Sequence, residues 1–122
     1  MSLVYVVDDD TVLRTAYAAA IHKQGFDIET ASDGLEAQKL VAKQKPDAIL
    51  LDMLMPNMDG ITFLQGLRKD PTNSSVKVVI SSNLESLPET SSLEVSKYLS
   101  KLTHDPDAIA AAVAEVINGP TE

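Results

Sequence analysis

Two kinds of segment alternate along the chain. Short runs rich in Val, Ile and Leu occupy positions 3–7, 26–30, 48–51, 76–80 and 98–99, and longer stretches with apolar residues at helical spacing occupy 12–24, 34–43, 61–69, 84–95 and 106–117. This alternation predicts five strands and five helices in an α/β arrangement. The runs at 3–7, 48–51 and 76–80 are apolar almost throughout, as expected for parallel strands covered by helices on both faces, so they should form the centre of the sheet. Thr11 can cap the first helix, and Gly25 stands just past its end, where a left-handed residue is often required. Asp105 can cap the last helix, with Pro106 in its first turn and Gly119 after its end.

Right-handed crossovers between such strands give a five-stranded parallel sheet of order 2-1-3-4-5, the flavodoxin-like doubly wound (βα)5 arrangement with helices on both faces. In sheets of this type ligands bind beyond the carboxyl ends of the strands, where the strand order reverses.

Composition narrows the function classes. At 122 residues with 44% hydrophobic content, the chain suits one compact domain, expected to span 1–122. Eighteen acidic residues against ten basic ones give a net charge of -8, which opposes contact with nucleic acid or an anionic membrane surface. With no cysteine, thiolate metal sites, disulfides and thiol nucleophiles are excluded. No leader pattern opens the chain, and no apolar run approaches the ~20 residues of a membrane helix, so a soluble, cytoplasmic protein is expected.

The chemistry sits at the predicted strand ends. The first run ends in Asp8, Asp9 and Asp10, and the third ends in Asp52. In a 2-1-3 order these strands are neighbours about 4.8 Å apart, which brings their carboxylates together at the switch point. Clustered carboxylates raise one another's pKa unless a cation lies among them. A site of oxygen ligands without His or Cys suits a hard ion, for which Mg²⁺ is the expected choice. The fourth run ends in Ser81 and Ser82, whose hydroxyls can donate to a phosphoryl oxygen, and the fifth is followed by Lys101, whose ammonium can offset added negative charge. Taken singly, each has a plainer reading: solvated acids at a helix start, a turn serine, a surface lysine. Four strand ends around one switch point supplying acid, acid, hydroxyl and ammonium are not what the plainer readings predict.

The stretch Leu50-Leu51-Asp52-Met53-Leu54-Met55-Pro56-Asn57-Met58-Asp59-Gly60 is the most specific in the chain. With it the sequence resembles the receiver domains of bacterial response regulators, over nearly its whole length. The resemblance implies that Asp52 is the phosphoacceptor, that Asp8, Asp9, Asp52 and the backbone carbonyl of Leu54 bind Mg²⁺, and that Ser81 and Lys101 hold phosphoryl oxygens. It further implies that Ser81 and Tyr98 act as switch residues, relaying phosphorylation to the surface formed by 84–95, the last strand and the last helix. The partners implied are a sensor histidine kinase or phosphotransfer protein and an output domain or downstream protein, with room for a phosphorylation-dependent dimer. On this reading the domain is a signalling switch that assists its own phosphorylation and dephosphorylation, not an enzyme with a separate substrate.

Three departures from the family pattern stand out. Leu102 follows Lys101 where the family usually has proline, so a trans peptide or a rearranged loop is expected, because a cis bond costs a non-proline residue ~3 kcal/mol. Val95-Ser96 replaces the usual Gly-Ala, and with Pro88 in a slightly shortened segment, the helix over 84–95 should be short or irregular. Leu54 is apolar where a polar side chain could orient an attacking water. Two other readings compete: a pseudo-receiver that serves only as an interaction module, and a haloacid-dehalogenase-like phosphatase with Asp8 as nucleophile, which the run Asp8-Asp9-Asp10-Thr11-Val12 also fits. A flavodoxin is disfavoured because no Ser/Thr/Gly-rich phosphate loop follows the first strand.

Overall fold

A computed structural model describes residues 2–83 and 93–119. Strands β1 (Leu3–Val7), β2 (Asp27–Ala31), β3 (Ala48–Asp52), β4 (Lys77–Ser82) and β5 (Lys97–Ser100) form one parallel sheet in the order β2-β1-β3-β4-β5. Helices α1 (Thr11–Lys23), α2 (Gly34–Lys43), α3 (Gly60–Lys69) and α4 (Pro106–Asn118) alternate with the strands, and a 3-10 turn at Pro71–Asn73 follows α3. The expected doubly wound sheet is therefore present. The helix expected over 84–95 falls for the most part on 84–92, outside the described residues.

The side-chain period of two divides the strand residues between two cores. Tyr5, Val7, Ile49, Leu51, Val78 and Ile80 face α2 and α3, where Phe63, Leu64 and Leu67 meet them. Val4, Val6, Ala48, Leu50 and Val79 face α1 and α4, packing on Tyr17, Ile21, Ile109 and Val113. Because both faces are covered, β1, β3 and β4 need apolar residues at nearly every position, which is the pattern the sequence carries.

Each helix begins on an aspartate in extended conformation whose carboxylate accepts the amide hydrogen bond of the third helical residue. Asp10 caps α1, Asp33 caps α2, Asp59 caps α3 and Asp105 caps α4. Thr11 is therefore not the cap expected from sequence; it is already helical, and Asp10 accepts from Leu13 N–H. Gly25 (φ 101) takes the left-handed conformation expected past α1, and Gly119 (φ 80) follows α4, as expected, with positive φ. β2 begins one residue later than expected, with Phe26 instead buried against the α1 and α4 core. Before β5, Arg68 of α3 holds the entering chain, donating to the carbonyls of Leu93, Glu94, Asn73 and Val76 at 2.8–3.0 Å. The peptide between Lys101 and Leu102 is trans, as expected.

Candidate functional site

The expected site residues Asp8, Asp9, Asp52, Leu54, Ser81 and Lys101 lie at the carboxyl edge of the sheet, whereas Tyr98 lies within β5, opposite Ile80. β1 delivers Asp8, which is only 1% exposed, and β3 delivers Asp52, which is 5% exposed. Exposed Asp9 completes the group: oxygens of Asp8, Asp9 and Asp52 all lie within 4.8 Å of one another. Asp10 is drawn away from the cluster by its capping of α1. The loop after β5 brings Lys101 in, with Nζ 2.6 Å from Asp8 Oδ2 and 3.4 Å from Asp52 Oδ2. Its backbone is fixed by the hydrogen bond from Lys101 N–H to the Ser82 carbonyl. Ser81 is paired in register with Asp52 across β3 and β4 and is buried.

The two buried carboxylates differ in how fully they are engaged. Asp8 Oδ1 accepts the Asp10 amide at 2.9 Å and its Oδ2 takes the Lys101 ammonium, while its carbonyl accepts from the Arg14 guanidinium at 2.8 Å. Among the described residues, Asp52 accepts a longer bond, 3.3 Å, from Leu54 N–H and meets Lys101 at 3.4 Å. Burial pushes the Asp52 carboxyl up to about 6, against the Lys101 ammonium, which lowers it, and with the Asp8 charge, which raises it further. Desolvation and the like charge together outweigh the ammonium. Lys101 is held above the usual lysine value, its pairing with Asp8 and Asp52 exceeding the opposing effect of burial.

Hard oxygen donors converging with more negative charge than one ammonium offsets are the chemistry of a divalent cation site, and the residues present fit Mg²⁺. Leu54 is 57% exposed on the loop between β3 and α3, and Tyr98 is 42% exposed on the edge strand β5. Sequence reading missed two groups near the site. Arg14 is on the exposed-to-intermediate side of α1, and only its distance to the Asp8 carbonyl reveals its role. Asp33 binds Asn57 at 2.7 Å, a pairing across 24 positions; the acid preceding Gly34 and followed three residues on by Glu36 was the available signal of a helix start. A separate cavity of about 510 Å³, between Val41, Phe63, Gly66 and Thr72, lies at the opposite, amino-terminal edge of the sheet. None of the described helices is long and apolar enough to cross a membrane.

A family model for the response regulator receiver domain matches residues 4–114. Sporulation initiation phosphotransferase F of Bacillus subtilis is 33% identical over 119 residues, covering 93% of this chain and 92% of that protein. The DNA-binding dual master transcriptional regulator RpaA of Synechocystis is 31% identical over 66% of the chain, and response regulator MprA of Mycobacterium leprae 33% identical over 70%. The match spans about a third of the length of these two relatives, 33% and 37%. Among solved structures, the receiver domain of the Francisella response regulator 1452 superposes with a TM-score of 0.85 at 30% identity, covering 97% of this chain and 98% of that one. Chemotaxis protein CheY4 of Vibrio cholerae superposes with a TM-score of 0.84 at 26% identity, over 95% and 98%.

Proposed function

Because this chain belongs to the response regulator receiver domain family of two-component systems, we propose that it is a phosphoacceptor switch in which Asp52 takes a phosphoryl group from the phosphohistidine of a kinase or phosphotransfer protein. The observation that carries this reading is the unequal engagement of the two buried acids: Asp8 is held closely by the Asp10 amide at 2.9 Å and Lys101 at 2.6 Å, whereas the contacts of Asp52 with the Leu54 amide and with Lys101 are longer, 3.3 and 3.4 Å. The same inequality disfavours Asp8 as the nucleophile of a phosphatase.

Asp8, Asp9, Asp52 and the Leu54 carbonyl would hold Mg²⁺, which when bound supplies positive charge beside the phosphoryl oxygens. An Asp52 carboxylate oxygen attacks phosphorus, the new P–O bond forms as the P–N bond to the donor imidazole breaks, and the imidazole leaves with the electron pair. Lys101 is already within 3.4 Å of Asp52 and neutralises charge as the phosphoryl group arrives, while the Ser81 hydroxyl donates to one of its oxygens. The acyl phosphate then biases Ser81, Tyr98 and the surface of β5 and α4 toward an output domain or downstream protein. A bias of a few kcal/mol between two packings suffices for such a switch.

The test is phosphorylation by acetyl phosphate with Mg²⁺, followed by intact mass. The native chain should gain one phosphoryl group and Asp52→Asn should gain none, since an amide cannot act as the nucleophile. Phosphorylation of Asp52→Asn at the native rate would overturn the assignment.

A further inference from the structure

We propose that Asp33 and Asn57 form a latch that positions the loop between β3 and α3 over Asp52, which makes both of them positioning residues for phosphoryl acceptance. The inference rests on the reading of Asp52 given above. Among the described residues no hydrogen bond or ion pair joins either side chain to Asp52; both act through the backbone of residues 53–59.

The loop is tied at two ends. Near its far end Asn57 Nδ2 donates to Asp33 Oδ2 at 2.7 Å, while Asp33 Oδ1 accepts the Glu36 amide at 2.9 Å. One carboxylate thus caps α2 and grips the loop, and its negative charge lies at the positive end of the helix. The adjacent Gly34 N–H donates to the Met58 carbonyl at 3.2 Å, and a Cβ on Gly34 would lie 2.8 Å from that oxygen, so the two backbones are in direct contact. The near end is joined to the start of α3, where Gly60 N–H donates to the Met53 carbonyl at 3.1 Å. Leu54, Met55 and Pro56 span the interval between these ties.

Two features make this span sensitive. Asn57 has φ 66, a left-handed conformation that asparagine tolerates and most residues do not, so the backbone turns at the residue that carries the latch. The Leu54 amide reaches Asp52 Oδ1 at 3.3 Å, near the long limit of a hydrogen bond, so a shift of about 0.5 Å in the loop would break it. The same shift would move the Leu54 carbonyl, the backbone group assigned to the metal.

Substitutions separate the latch from a purely structural cap and turn. Asn57→Gly keeps the left-handed turn and deletes the amide. Asp33→Ser keeps a helix cap and deletes the second oxygen. The double variant Asp33→Asn with Asn57→Asp reverses donor and acceptor, with asparagine still able to cap α2 and aspartate still tolerant of the turn.

Each variant is measured three ways: Mg²⁺ affinity by calorimetry, acetyl phosphate phosphorylation rate at saturating Mg²⁺, and amide exchange at Leu54. Asn57→Gly and Asp33→Ser should each lose about fivefold or more in Mg²⁺ affinity and in rate, with faster exchange at Leu54, while remaining folded by circular dichroism. The reversed pair should recover to within about twofold of native. Native Mg²⁺ affinity and native exchange at Leu54 in Asn57→Gly would overturn the latch, as would a folded reversed pair no better than the single variants. A native chain that binds Mg²⁺ but takes no phosphoryl group would instead overturn the phosphoacceptor reading, and the affinity and exchange arms would still decide the latch.

Discussion

Gly60→Ala should be among the most damaging single-methyl additions in the chain, and its cost can be worked from the backbone. Gly60 opens α3 immediately beneath the end of β3. A Cβ there would lie 2.4 Å from the Asp52 carbonyl oxygen, 2.8 Å from Met53 Cα and 3.0 Å from Met53 Sδ. The ordinary contact begins at 3.4 Å, so the deficit against the carbonyl is 3.4 − 2.4, or 1.0 Å. Met53 Sδ can swing aside, but the other two atoms are backbone of the strand that carries Asp52. The start of α3 and the end of β3 must separate, and overpacking of this kind costs about 1–3 kcal/mol. The separation also stretches the Gly60 N–H bond to the Met53 carbonyl, adding about 1 kcal/mol. We expect a loss of about 3 kcal/mol, which at a urea slope of ~1.5 kcal/mol/M lowers the unfolding midpoint by about 2 M. Gly66→Ala is the internal control: it lies within α3, its Cβ would meet only the flexible end of Gln38 at 3.6 Å, and helix propensity should stabilise it by up to about 1 kcal/mol. A Gly60→Ala midpoint within 0.3 M of native, on the order of 0.5 kcal/mol, would refute the steric reasoning.

Other outcomes follow from particular contacts. Arg68→Lys exchanges a planar fork reaching four carbonyls for a point charge that cannot span them, and urea unfolding should show a loss of about 1–3 kcal/mol with faster amide exchange at Ser96; a loss below ~0.5 kcal/mol would remove Arg68 as the anchor of the chain entering β5. The Glu36 amide first, and the Asn57 amide second, hold the Asp33 carboxyl below the usual carboxylate value. A depressed folded pKa stabilises above the unfolded value of ~3.9 and ceases to as pH falls through the folded value, so the stability gap between native and Asp33→Ser should narrow from pH 5 to pH 3, and a widening gap would reverse the sign of the argument. Leu54→Asn should shorten the lifetime of the phosphorylated chain about tenfold, since an amide can hold an attacking water that leucine cannot; equal lifetimes, measured by loss of phosphate with excess Mg²⁺, would show that Leu54 is not the brake.

The elements legible in the sequence were those whose reason is local or periodic. Nearly continuous apolar runs at 3–7, 48–51 and 76–80, the last broken by exposed Lys77, suit strands buried on both faces, and the odd and even positions of those runs do divide between the two cores. The start of α1 was misread by one residue because Thr11 and Asp10 are both competent caps. What decides between them is backbone: Asp10 is extended and Thr11 helical, a distinction set by Asp8 turning inward and accepting the Asp10 amide. Likewise β2 reads as 26–30 from its aromatic start, but Phe26 is claimed by the core beneath α1 and α4, and strand pairing begins at Asp27 opposite Leu3.

The site divides along the same line. That strand ends gather Asp8, Asp52, Ser81 and Lys101 follows from sheet order alone. Which acid Lys101 chooses does not, since it depends on where a flexible four-carbon chain is held after β5, and the structure puts it closer to Asp8 than to Asp52, 2.6 Å against 3.4 Å. That preference has a physical consequence for the proposed chemistry. With the ammonium committed to Asp8, it offsets the charge of Asp52 only in part, so burial and the Asp8 charge win and the Asp52 carboxyl is pushed up to about 6. At pH 7 such a group is still mostly ionised, and a divalent cation bound among Asp8, Asp9 and Asp52 would favour the carboxylate further. The placement of Lys101 on the neighbouring acid therefore keeps positive charge near the reaction while its contact with Asp52 stays at the longer distance of 3.4 Å.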